Sequence, residues 1–151
     1  MSEFLSFSMG KHEARFPVNR MYSKRHLWLQ QSATSWRVGF TDYSVRLLQD
    51  VYFLEWSVDE EDSVRDRQEI GEIESAKAVS SMFPPCAGTI ERFNPALLQD
   101  PSGINVDNYG DGWLYEFRTE ETLLSAEQYL EFLKSAWEDA QRTIKGQVNE
   151  G

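Results

Sequence analysis

The sequence predicts a mainly β domain, a small sandwich or barrel with helical additions. Three observations carry this. Short segments rich in aromatic and β-branched residues recur at regular spacing between turn signals. One long amphipathic helix pattern stands near the C-terminus. The chain has 151 residues, 40% hydrophobic and 13% aromatic, enough for one packed core.

Residues 1–20 show no sustained period and read as a mobile N-terminal extension, since isolated termini rarely order. The alternative is a docking arm built on Phe4, Leu5, Phe7 and Met9. Residues 26–40 read as a hairpin. Leu27-Trp28-Leu29-Gln30 is β-prone, Gln31-Ser32-Ala33 is small and polar, and Trp36, Val38 and Phe40 alternate with Arg37 and Gly39. That alternation is the period of a half-buried strand. Thr41 or Asp42 then caps a short helix over Val45, Leu47 and Leu48. Val51-Tyr52-Phe53-Leu54-Glu55-Trp56 is a strand.

Asp59-Glu60-Glu61-Asp62 is a like-charge run that favours a solvated loop. Residues 70–77 return to strand, and residues 78–82 come back antiparallel. Pro84-Pro85 stops the ladder, because proline has no N–H to give. Residues 86–93 form a further strand. Asn94-Pro95 starts a helix, with Asn at the cap and Pro at the first position. Asp100-Pro101-Ser102-Gly103 ends it. Asn108-Tyr109-Gly110-Asp111-Gly112 is turn chemistry, leading into a closing strand at 113–117. Ser125-Ala126-Glu127-Gln128 is a capping box. Behind it Leu130, Leu133, Trp137, Ala140 and Ile144 recur on one helical face, and Gly146 is the expected stop. So read, the domain covers residues 21–146, with a tail at 147–151.

Charge narrows the partners. The chain carries 25 acidic and 15 basic side chains, a formal net charge of −10. An anionic surface is a poor match for nucleic acid or an anionic membrane face and suits a positively charged protein. No apolar run approaches the roughly 18 residues of a membrane span. Met1-Ser2-Glu3-Phe4-Leu5 lacks the basic start of a signal peptide. The expectation is a cytoplasmic protein, with no nucleic-acid and no membrane partner. One cysteine, Cys86, excludes an internal disulfide and a Cys-cluster metal site.

Catalytic motifs are sparse. The histidines are His12 and His26. Carboxylates are plentiful enough for an acid–base pair, but no spacing singles one out; a Cys86–His26 nucleophilic pair is conceivable, yet no cationic group lies close to Cys86 in sequence to lower its pKa. A packed thiol is the simpler reading. No glycine-rich phosphate loop and no metal-ligand spacing is present. Gly71-Glu72-Ile73-Glu74-Ser75-Ala76-Lys77-Ala78-Val79 stands apart. It sets Lys77 between two alanines at the tip of a strand–turn–strand, where small neighbours leave the ammonium within reach of a large enzyme. Taken alone, this segment reads better as a plain surface lysine.

Six motifs in order widen that reading. They are His26-Leu27-Trp28, Val38-Gly39-Phe40-Thr41-Asp42-Tyr43, Asp50-Val51-Tyr52-Phe53-Leu54-Glu55, Glu74-Ser75-Ala76-Lys77-Ala78, Pro85-Cys86-Ala87-Gly88-Thr89-Ile90 and Tyr109-Gly110-Asp111-Gly112-Trp113-Leu114. Together, across residues 22–132, they resemble the lipoyl-carrying H-protein of the glycine cleavage system. The resemblance implies a flattened barrel-sandwich hybrid, the lipoyl-domain fold, with Glu74, Ser75, Ala76 and Ala78 forming the hairpin around Lys77. It implies lipoate bound covalently to Lys77 through an amide. A lipoate-protein ligase or lipoyl transferase would attach it, and redox or group-transfer enzymes would use it. The chain itself would be a carrier and no enzyme. Biotinyl domains share the fold but usually flank their lysine with methionine, and Ala76 and Ala78 argue against biotin.

Two departures bear on the cargo. Leu27 stands where the family carries the glutamate of His-Glu-Trp, and Leu47 aligns with a cleft histidine of some members. Those groups can bind an ammonium; leucine cannot. The expectation drawn from this is a divergent H-like carrier of bacterial sulfur oxidation, serving a heterodisulfide-reductase-like complex. The alternative is a glycine cleavage H protein that carries the aminomethyl group.

Overall fold

The computed structural model describes the backbone of residues 3–150 and the side chains of residues 3–139. The described residues form three sheets and four helices. A six-stranded antiparallel sheet contains β3 (Met21–Tyr22), β4 (Leu27–Ser32), β5 (Ser35–Phe40), β11 (Tyr115–Arg118), β10 (Gly88–Phe93) and β7 (Ser63–Val64), in that spatial order. A three-stranded antiparallel sheet contains β6 (Val51–Trp56), β8 (Gly71–Ser75) and β9 (Val79–Met82). The two share one core: Leu29, Val38, Ile90 and Phe117 from the larger sheet meet Val51, Ile73 and Met82 from the smaller. This is the mainly β barrel-sandwich that the motif series implies.

The β4–β5 hairpin follows its alternation. Leu29 pairs with Val38 and Trp28 with Gly39. Gly39 is required there, because a Cβ on it would lie 2.4 Å from the Trp28 indole. Thr41 caps α1 (Asp42–Leu48) by accepting from the Ser44 amide at 3.4 Å. Asn94 caps α2 (Pro95–Gln99), with its side chain accepting from the Ala96 amide at 3.1 Å. The capping box closes reciprocally: the Ser125 amide donates to Gln128 Oε1 at 2.9 Å and the Gln128 amide to Ser125 Oγ at 3.2 Å. Behind it runs α4 (Ala126–Glu150).

Three expectations need correction. The segment expected to be a mobile extension is an ordered hairpin, β1 (Phe4–Met9) with β2 (His12–Pro17), paired from Phe4↔Pro17 to Met9↔His12. A two-stranded ribbon is marginal alone. This one is held by a second core in which Phe7, Met9, Ala14 and Phe16 are buried against Tyr22, Tyr129 and Leu133. Tyr22 and Tyr129 stack with centroids 4.9 Å apart, and Phe16 meets Tyr129 edge-on at 5.1 Å. Asp100 does close α2, as expected, and a further short helix, α3 (Gly103–Val106), follows. Gly146 does not end α4, which runs through it to Glu150, so the expected tail continues as helix. A helical glycine costs only about 1 kcal/mol, too little to force an end. Finally, β8 ends at Ser75, two residues short of Lys77.

The helical stripe is centred differently from its spacing. Tyr129 and Leu133 are fully buried, whereas Leu130 and Trp137 are half-buried. The side chains of Ala140 and Ile144 lie outside the described residues. Among the described residues no helix is long and apolar enough to cross a membrane.

Candidate functional site: the Lys77 hairpin and its cavity

Lys77 sits at the tip between β8 and β9, exposed together with Ala76, Ala78 and Val79. Its ammonium has no ion-pair or hydrogen-bond partner among the described residues. The turn beneath it is organised by Ser75, which is 4% exposed. The Ser75 amide donates to the Ala78 carbonyl at 2.9 Å. Its Oγ accepts from the amides of Lys77 and Ala78, both at 3.3 Å. A hydroxyl serving two successive amides closes a tight turn without glycine. Glu74 pairs with Phe53 on one side and Val79 on the other.

A chain of hydrogen bonds supports the tip from outside its own hairpin. The Ala76 amide donates to the Asp50 carbonyl at 2.8 Å. Asn105 on α3 holds both neighbours of Asp50, donating to the Gln49 carbonyl at 2.6 Å and accepting from the Val51 amide at 2.9 Å. Gln49 needs that hold, since it has φ +60° without being glycine. The exposed apolar side chains Leu47, Tyr52, Phe53 and Val79 lie on α1 and on the two strands flanking β8, around this tip.

Beside the hairpin opens a cavity of about 240 Å³. Leu27, Phe40, Leu47, Leu48, Trp56, Ile70, Ile73, Met82, Phe83, Leu114 and Tyr115 line it, with Arg25, Ser44, Ser80 and Ser81 as further polar lining. Leu27 and Leu47, distant in sequence, thus meet at one cavity: Leu27 is 3% exposed and Leu47 is 53% exposed. Among the described residues no Asp or Glu lines it. Ser80 and Ile73 stand three and four residues from Lys77, at most roughly 10–13 Å of chain.

The remaining motifs frame the site. Thr41 Oγ1 donates to the His26 carbonyl at 3.0 Å. The Asp42 carboxylate accepts from the Arg15 amide and from Asn108 Nδ2, both at 3.0 Å. The Tyr109 hydroxyl donates to the Arg15 carbonyl and accepts from the Asp42 amide. Trp28 Nε1 donates to the Asn108 carbonyl at 2.9 Å. Motifs that look chemical in sequence are here clamps between loops.

The Cys86–His26 pair does not form. Cys86 Sγ donates to Thr119 Oγ1 at 3.3 Å, and burial pushes its thiol pKa up. His26 Nδ1 meets the Tyr129 hydroxyl at 2.9 Å, and burial lowers its pKa to about 4. Sequence reasoning missed Asn105, Tyr115 and Tyr129. Only Tyr129 left a signal, one turn from the capping box at the start of α4.

A lysine displayed on a rigid hairpin of a barrel-sandwich, beside a cavity within arm's reach, defines a carrier-type domain. The comparisons with known proteins agree. The model of the Glycine cleavage H-protein family matches residues 20–136. The glycine cleavage system H protein of Rubrobacter xylanophilus is 36% identical over 118 residues, 77% of this chain and 93% of that one. A probable glycine cleavage system H protein of Natronomonas pharaonis is 38% identical over 118 residues, 75% of this chain and 92% of that one. The crystal structure of a glycine cleavage system H protein from Mycobacterium marinum superposes with a TM-score of 0.66 at 34% identity, covering 76% of this chain and 95% of that one. The chain belongs to the glycine cleavage H-protein family.

Proposed function

We propose that this protein is a lipoate carrier of glycine cleavage, with Lys77 as the attachment residue. The observation that carries this is the placement of Lys77: exposed, unpaired among the described residues, and held at the tip of a turn fixed by Ser75 and Asp50. Its ε-amine forms an amide with the activated lipoate carboxyl, the activating group leaves, and the lysine charge is lost. Once attached, the lipoyl group supplies a reversible disulfide that exchanges electrons and carries a bound group.

The chain's own residues hold and shelter that arm. Ser75 and the Asp50 carbonyl fix its root, so the arm starts from one direction. The apolar lining from Leu27, Ile73, Met82 and Phe83 excludes water from whatever enters the cavity. The exposed Tyr52, Phe53 and Val79 give a ligase or a group-transfer enzyme an apolar contact beside the tip. In this reading the partners are a lipoate-protein ligase or lipoyl transferase, then the enzymes that load and unload the arm. The protein catalyses nothing alone and acts in the cytoplasm.

The similarity to proteins named for glycine cleavage favours the aminomethyl group as cargo. It gives no support to the sulfur-oxidation carrier expected from Leu27 and Leu47. The test is co-expression with a lipoate ligase, followed by peptide mass analysis and glycine-dependent loading with a matched enzyme set. Lipoyl mass on the Lys77 peptide with glycine-dependent loading is the expected result. Lipoylated protein that takes sulfur from a persulfide donor but never loads from glycine would overturn the cargo assignment.

A further inference from the structure

Resting on that carrier reading, we propose that the N-terminal hairpin builds a docking pocket for a basic side chain of the enzyme that acylates Lys77. The hairpin is an addition to the shared domain: the family model begins at residue 20, past β2. The matched stretch already takes up 93% of the Rubrobacter protein, which leaves too little chain there for such a hairpin. Against α1 and α3 the hairpin encloses a cavity of about 500 Å³, about twice the volume of the one beside Lys77. His12 and Glu13 of β2, Asp42 and Arg46 of α1, then Asp50 and Asn105, line it. Its charges do not cancel. The Arg46 guanidinium meets the His12 imidazole rather than a carboxylate. The Asp42 carboxylate is engaged by the Arg15 amide and by Asn108. The Glu13 and Asp50 carboxylates, both exposed, have no hydrogen-bond or ion-pair partner among the described residues. Three carboxylates thus face one guanidinium, on a chain of net charge −10. Such a field draws in an ammonium or a guanidinium.

The surroundings suit a protein partner. Leu47 follows Arg46, Val106 follows Asn105, and Tyr52 comes two residues after Asp50; they are 53%, 83% and 62% exposed. Exposed apolar side chains beside a charged pocket fit a protein surface better than a small solute. Position then selects the partner. Asp50 lines the pocket, and its carbonyl accepts from the Ala76 amide at 2.8 Å, one residue before Lys77. The pocket therefore adjoins the root of the arm. The enzyme that forms the amide must bring its activated carboxyl to the ε-amine itself. Enzymes that use the finished arm work at its dithiolane, a full lipoyl chain farther out. A basic side chain seated on Glu13 and Asp50 orients the acylating enzyme on Lys77. Because the hairpin supplies Glu13, the contact distinguishes this chain from carriers that lack the hairpin.

The experiment follows lipoylation of the full apo chain by its lipoate-protein ligase, for the native protein, Glu13→Gln, Asp50→Asn and the double variant. Initial rates over a range of carrier concentrations separate KM from kcat, at low and at high salt. KM of the double variant should rise roughly tenfold at low salt, the scale of two partly exposed ion pairs, with kcat unchanged. High salt should bring the native KM toward that of the variant, because screening removes the same attraction. Glu121→Gln, at a carboxylate lining a separate cavity with Cys86, should leave KM as it is. Melting temperatures should agree across the set, since neither carboxylate has a partner in the fold. An unchanged KM in the double variant overturns the proposal, as does an equal rise in Glu121→Gln. A double variant that melts lower also overturns it, because the carboxylates would then be structural. Native chain left without lipoyl mass on Lys77 sinks the carrier reading itself, and the proposal falls with it.

Discussion

The amide of Ala76 donates to the carbonyl of Asp50 at 2.8 Å, which ties the residue before Lys77 to the entry of β6 rather than to its own hairpin. Asn105 holds that entry from α3, through Gln49 and Val51. Rigidity at the tip is therefore set 28 residues away in sequence from Lys77, as the numbering of Asn105 shows.

Asn105→Ala should loosen the tip. Two hydrogen bonds are lost, at a cost of about 1–2 kcal/mol. Hydrogen exchange at the Ala76 amide should accelerate in the variant, while amides of β4 and β5 far from the site stay protected. Equal Ala76 exchange in both proteins would mean that the Asp50 carbonyl is fixed by other contacts.

Lys77→Arg should abolish lipoylation without unfolding the protein. The guanidinium cannot form the amide, and the Lys77 side chain makes no hydrogen bond or ion pair among the described residues whose loss would destabilise the fold. Mass analysis after co-expression with a ligase, beside a melting curve, checks both halves.

Phe16→Ala should cost about 3–5 kcal/mol, the range for a fully buried aromatic. Trp137→Ala should cost less, because Trp137 is half-buried and meets Phe7 edge-on at 5.9 Å. Urea unfolding of both variants checks the order. A Phe16 variant as stable as the parent would show that the N-terminal hairpin is dispensable to the fold.

That hairpin also marks where the sequence ceased to be legible. Trp36, Val38 and Phe40 alternate within a strand that follows its partner after a two-residue turn, so local pattern and tertiary context agree. Phe7 with Met9 and Ala14 with Phe16 alternate as well, but their ribbon has no third strand. Its order comes from Tyr129 and Leu133 on a helix more than a hundred residues later, which no local window reports. The Lys77 tip was readable because Ser75, Ala76 and Ala78 are its neighbours in sequence. The cavity was only half readable. Leu27 and Leu47 were flagged through what they replace, whereas Tyr115 looked like any strand aromatic until its hydroxyl was seen to be buried and unpaired. The helix α3 hid behind Pro101 and Gly103, which read as punctuation.

His26 gives a pH signature. Burial lowers its folded pKa to about 4 from 6.5, so the folded state holds the neutral ring and the unfolded chain binds the extra proton between those values. Stability from this group is complete above pH 6.5 and is lost as pH falls toward 4, on the order of 2–3 kcal/mol. His26 has φ +67°, so His26→Asn is the fitting variant, since Asn tolerates that conformation. Urea titrations at pH 7 and pH 4.5 should show a smaller acid loss in the variant than in the parent. Identical losses would assign the acid sensitivity to carboxylates.

Leu27→Glu should trade stability for retention. A carboxylate in the apolar cavity should destabilise the unloaded protein by about 1–3 kcal/mol at neutral pH, and less at acid pH where it takes up a proton. The loaded protein should keep its aminomethyl group longer, because an ammonium finds a counter-charge. Shorter retention would show that the cavity does not hold the amine.

On the carrier reading proposed above, the burial of Cys86 would have a practical consequence for a dithiol shuttle. The residue is 6% exposed, its sulfur is turned to Thr119 and burial pushes its thiol pKa up, so it is a poor partner for disulfide exchange with such an arm. The arm cannot short-circuit onto its own scaffold. A thiol reagent applied to the native fold therefore counts only the sulfurs of the arm, and the redox state of the carrier can be titrated directly without mutating the chain.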